Sequence, residues 1–74
     1  MKLLIKAARV LASEVTPWNV QNMDCYPRIR LLFEILAEIG CPAEEIKRDI
    51  IAAANMRVAY AIVRDQLSIV ELCG

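Results

Sequence analysis

The sequence predicts an all-α fold: a small three-helix domain with helices over about 2–14, 27–39 and 42–66 or longer, and an irregular or short helical segment over 16–26. Three observations predict it. Apolar residues recur at helical spacing through the three longer segments. The punctuation between them, Thr16-Pro17, Tyr26-Pro27 and Gly40-Cys41-Pro42, is that of helix starts and stops. Of the 74 residues, 58% are hydrophobic, whereas ordinary soluble domains hold roughly 45–50% even with glycine counted as apolar. A chain this short forms one domain, here residues 1–74, and buries only about 60% of the surface its unfolded form exposes. The apolar surplus therefore calls for a second surface, and an oligomer is expected.

The first helix sets Lys2, Lys6, Arg9 and Ser13 at i, i+4, i+7 and i+11, with Leu3, Leu4, Ala7, Val10 and Leu11 on the other side. One face of it is wet. Thr16 then reads as an N-cap and Pro17 as a first helical residue, opening a short turn through "WNVQNMD" before Tyr26-Pro27 restarts the chain. In the second helix Arg30, Glu34 and Glu38 form a narrow polar stripe. Ile29, Leu31, Leu32, Phe33, Ile35, Leu36 and Ile39 cover the rest of the circumference. Gly40 supplies the stop.

The third helix begins after Cys41-Pro42 with Glu44 and Glu45 in its first turn, where the macrodipole favours negative charge. Read as one helix through residue 66, it carries two apolar stripes at about 100° per residue. Ile46, Ile50, Ala53, Tyr60 and Leu67 form one. Ile51, Val58, Ile62 and Ile69 form the other, interrupting the side that carries Lys47, Arg48, Asn55 and Gln66. The second stripe follows heptad spacing, and Asn55 falls where a polar residue can fix register and oligomeric state in a helix pair. Ile51, Asn55, Val58, Ile62 and Ile69 are therefore the expected oligomer interface. A β-hairpin through "RVAYAIV" and "LSIVEL" ranks second, because neither run alternates cleanly and the Ala-rich lead favours a helix.

Catalytic chemistry has little to work with. Histidine is absent, the only glycines are Gly40 and Gly74, and Cys25, Cys41 and Cys73 are too widely spaced for a CxxC metal site or a disulfide framework. The cysteines are expected to act as small buried hydrophobes, with Cys73 the one best placed to be exposed. Neither an enzyme activity nor a cofactor nor a metal is expected. Nine basic residues balance nine acidic ones, which removes the simplest electrostatic case for nucleic acid. Charges interrupt every apolar run before membrane-spanning length, and "LLI" is cut short as a signal by Lys6 and Arg9. A cytoplasmic location is expected.

Binding residues are easier to nominate. "TPWNVQNMDCYPRIR" gathers Trp18, Met23, Tyr26, Arg28 and Arg30, types that anchor protein interfaces, and these are the expected contacts for an outside partner. Arg57 and Arg64 lie beside Ile50 and Tyr60, with Glu71 seven residues further on. They are expected to pair with carboxylates of a neighbouring helix or to hold an acidic ligand. "LAEIGCPAEEI" has the outline of a helix-turn-helix, but Glu44 and Glu45 would face phosphates. The expectation is thus a small non-enzymatic regulator, adaptor or inhibitor that binds another protein, of a build shared by small phage- or accessory-element-encoded proteins. A helix-turn-helix-like DNA-binding regulator is the alternative, and a ligand-binding helical oligomer a further one.

Overall fold

A computed structural model describes residues 2–73, and every regular element in it is helical. Positions 1 and 74 of the expected domain lie outside the described residues. In chain order these are α1 (Lys2–Ala12), α2 (Pro17–Gln21), a 3₁₀ turn (Met23–Cys25), α3 (Pro27–Glu38), α4 (Ala43–Ile51) and α5 (Met56–Cys73). Helix α1 packs on α3 and α5, and α4 packs on α2, α3 and α5. All five helices feed one core: Ala8, Val20, Leu32, Leu36, Ile50, Ala59, Val63 and Leu67 are fully buried. Among the described residues no polar or charged residue is buried.

Local chemistry explains the early boundaries. Thr16 and Asn19 form a reciprocal capping box at the start of α2: Thr16 Oγ1 accepts from the Asn19 N–H at 2.9 Å, and Asn19 Oδ1 accepts from the Thr16 N–H at 2.9 Å. Helix α3 ends in a Schellman motif. The Cys41 N–H donates to the Leu36 carbonyl at 2.9 Å and the Gly40 N–H to the Ala37 carbonyl at 3.1 Å. Gly40 takes φ 89°, a left-handed value that costs glycine nothing and other residues a good deal.

The third predicted helix is corrected. Residues 42–66 do not form one rod; the chain breaks at Ala52–Asn55 into α4 and α5, so a three-helix count gives way to five. A continuous 42–66 helix would be about 37 Å long, but the whole domain extends 30 × 22 × 19 Å. Folding back lets Ile46 and Ile50 share a core with Ala59, Val63 and Leu67. On α5 the buried residues are Ala59, Val63 and Leu67, whereas Tyr60, expected in the core stripe with Leu67, is exposed. Residues 67–73 continue α5, which excludes the hairpin. The cysteine expectation also changes: Cys41 alone is buried, and Cys25 and Cys73 are exposed.

Asn55 has a local task at this break. Its Oδ1 accepts from the Val58 N–H at 3.0 Å and its carbonyl from the Ala59 N–H at 3.1 Å, the pattern of an N-cap. Asn55→Ala therefore distinguishes the two architectures. In a continuous helix alanine would raise stability, because it is the better helix former. Here it should lower stability by about 1 kcal/mol, or roughly 4–8 °C in thermal midpoint for a domain of this size. A raised midpoint would speak for the unbroken helix.

Candidate interaction surfaces

The first candidate surface is the corner between α1, α2 and α3. Asn19, besides capping α2, donates through Nδ2 to the Glu14 carbonyl at 2.8 Å. The Glu14 side chain is gripped by Arg28, whose Nε donates to Oε1 at 2.8 Å and Oε2 at 3.1 Å and whose Nη2 donates to Oε2 at 2.5 Å. That forked contact holds the Glu14 carboxyl below its ordinary pKa. Over this fastened corner stands Trp18, 65% exposed, its Nε1 donating to Tyr26 Oη at 3.3 Å. Glu14, Asn19, Tyr26 and Arg28 line a hollow of about 310 Å³ beside it.

The residues expected to meet an outside partner thus divide. Trp18, Tyr26 and Arg28 come together. Met23 packs partly buried against the core and, with Arg30, borders a separate groove along α3 and the start of α4 that also contains Phe33, Glu34 and Lys47. Chain proximity grouped the five, whereas the fold assigns them to two sides.

The second candidate surface is the outer side of α5. Val58, 41% exposed, and Ile69, 53% exposed, share it with the half-buried Ile62, and Leu72, 88% exposed, extends it. Ile51 belongs to α4, beside Glu44, Lys47 and Arg48, and Asn55 is engaged as the cap, so the five expected interface residues no longer form one stripe. The expected stripe ended at Ile69, and Leu72 continues it three residues further along the same spacing because α5 runs on to Cys73.

Arg57 and Arg64 are both exposed, which corrects the expected pairing with a neighbouring helix. Arg64 contacts Asp65 of its own helix at 3.4 Å and lies over the Tyr60 ring, 5.9 Å from its centroid. Among the described residues no ion pair involves Arg57. The carboxylate that does cross between helices is Glu71, paired with Arg9 of α1. No cluster of three or more metal-ligating side chains occurs among the described residues, and no helix in them is long and apolar enough to cross a membrane. Comparison of the chain with protein-family models, with curated proteins and with solved structures gives no match.

Burial orders the thiols by reactivity. It raises the Cys41 pKa and shields the sulfur, so a thiol reagent should modify Cys25 and Cys73 in the folded protein and Cys41 only on unfolding. Mass spectrometry of briefly labelled protein checks this; three equal rates would show that Cys41 is not enclosed.

The Glu14–Arg28 pair gives a pH prediction. Because the folded-state pKa of Glu14 is lowered, the pair's stabilisation is complete above the ordinary carboxylate range. It is lost as pH falls through the depressed value. Stability measured against pH should fall less steeply on the acid side in Glu14→Gln than in the unmodified chain, and identical acid limbs would show the pair to be inert. Both partners are solvent-accessible, so the effect is small.

Proposed function

We propose that this chain is a small non-enzymatic helical module, cytoplasmic, that acts as a regulator, adaptor or inhibitor by binding another protein, and that it does so as a homo-oligomer. The observation that carries the reading is Trp18. Tryptophan is one of the more heavily buried residue types in folded domains, yet here it stands 65% exposed on a corner fixed by a capping box and a forked ion pair. Rigid placement of a large, amphipathic ring beside Tyr26 and Arg28 lowers the ordering cost of binding, because these side chains have little freedom left to lose. Tryptophan, tyrosine and arginine are also the types that dominate interface hot spots. The exposed apolar face of α5 supports the self-association part.

A DNA-binding reading is favoured by one observation, the α3–Gly40–α4 arrangement, which has the outline of a helix-turn-helix. Charge weighs against it: α4 opens with exposed Glu44 and Glu45 and carries Asp49 against Lys47 and Arg48. Fluorescence anisotropy with a generic duplex should show no binding at sub-micromolar protein near physiological salt. Affinity in that range with a steep salt dependence would move the function to this motif.

The main reading is tested by truncating the ring. Because Trp18 is mostly outside the core, Trp18→Ala should leave helical content intact and change stability by about 0.5 kcal/mol or less. Capture of a specific protein partner by the tagged chain should weaken about 30-fold or more, the effect of losing a hot spot worth about 2 kcal/mol. Tyr26→Ala and Arg28→Ala should weaken capture with the fold retained. If all three variants fold and capture the same partner normally, this corner is not the docking site.

A further inference from the structure

The outer side of α5 carries the heptad-spaced stripe expected from the sequence at Asn55, Val58, Ile62 and Ile69 and extends it to Leu72. Asn55, Val58, Ile62, Asp65, Ile69 and Leu72 follow one another at alternating steps of three and four residues, the a/d rhythm of a two-stranded coiled coil. Val58, Ile69 and Leu72 are exposed and Ile62 half-buried. The small residues Ala61 and Ser68 flank the stripe on the side toward Arg64 and leave room for a neighbouring helix to approach. In the middle stands one charge, Asp65, which among the described residues is paired with Arg64 of its own helix at 3.4 Å.

We infer that α5 pairs with α5 of a second copy of this chain, antiparallel, about a two-fold axis beside Val63 and Arg64. This rests on the self-association part of the proposed function and gives it a geometry. A parallel pair would set Asp65 directly against Asp65, like charges in one layer of the seam. The antiparallel register instead places Val58 against Ile69 of the second copy, Ile62 against its Asp65, and Leu72 over its Asn55 end. Near the axis each Arg64 then reaches across the small Ala61 and Ser68 flank to the other copy's Asp65 as well as its own. Two arginines and two aspartates form a ring of alternating charge, so the residue that weakens the stripe in one copy is what orients two. From Val58 to Leu72 the stripe spans about 21 Å, which makes this a contact at the small end of specific interfaces.

Charge exchange tests this. Sedimentation equilibrium over roughly 1–500 μM would be run on the unmodified chain, on Arg64→Glu, on Asp65→Lys, and on an equimolar mixture of the two variants. Both positions are exposed, and circular dichroism would confirm unchanged helical content. Each variant alone sets like charges around the axis and should associate at least tenfold more weakly. In the mixture the carboxylate introduced in one variant meets the ammonium introduced in the other, and the retained Arg64 meets the retained Asp65. Association should therefore recover, as a heterodimer. A monomer over the whole range overturns the inference together with the self-association reading. An unmodified dimer whose variants associate unchanged, or whose mixture does not recover, overturns this pairing and leaves self-association to another surface.

Discussion

Everything in this fold depends on bringing Ile46 and Ile50 into the same core as Ala59, Val63 and Leu67. The chain has too few residues for a second core, and no single straight helix can direct both sets at the same neighbours. The turn at Ala52–Asn55 resolves this by folding α4 back on α5, which opens room for α2 beneath α4 and lets α1 sit between α3 and α5. Small residues make the contacts close. Ala8 on α1 and Ala59 on α5 are both fully buried, and α1 packs directly against α5. Their side chains are short enough to let the two backbones approach.

Because no polar or charged residue is buried among the described residues, polar interactions act at the edges. Arg9–Glu71 ties α1 to α5, Glu14–Arg28 ties the end of α1 to α3, and the Thr16–Asn19 box fixes the entry to α2. Exposed pairs of this kind contribute little stability one at a time. Their consequence is positional. They fix how helix ends meet at the surface of the core, and the corner fastened by two of them carries Trp18.

The sequence was legible where boundaries are set by local chemistry. Thr16-Pro17 and Gly40 act over a few residues through hydrogen bonds and φ, and both end or begin helices where the residues said they should. Periodicity gave most of the buried face of α3 and its C-cap, with Ile29, Leu32, Phe33, Ile35, Leu36 and Ile39 buried but Leu31 exposed; on α1 the expected Leu3, Leu4 and Val10 are exposed, and Ile5, Ala8, Leu11 and Ala12 face the core instead. The break at Ala52–Asn55 was not legible in the same way, because a run of alanines is the strongest local helix signal there is, and tertiary packing overrode it. That one miss joined residues of two helices into single stripes, placing Ile51 with Val58, Ile62 and Ile69 and Tyr60 with Ile46 and Ile50. One signal was present: Asn55 is a favoured N-cap type. For the candidate site, residue type and chain proximity nominated all five together, and neither carries the division the fold makes between Trp18, Tyr26 and Arg28 at one corner and Met23 and Arg30 at a separate groove.

The break also explains why one helix has two apolar faces. Turning 100° per residue, the stripe of Ala59, Val63 and Leu67 and the stripe of Val58, Ile62, Ile69 and Leu72 are centred about 130° apart. A helix apolar on one side is a surface helix, and one apolar most of the way round is interior to something larger. Within this chain α1 and α4 cover the first face of α5, and all the other helices are committed to the same core. Among the described residues no element remains to cover the second. Its apolar residues are also not scattered singly, as ordinary exposed hydrophobes are; they keep a coiled-coil rhythm for about four turns. A stripe ordered in that way is shaped to fit a helix, and the charged pair at its middle limits which helix it can be.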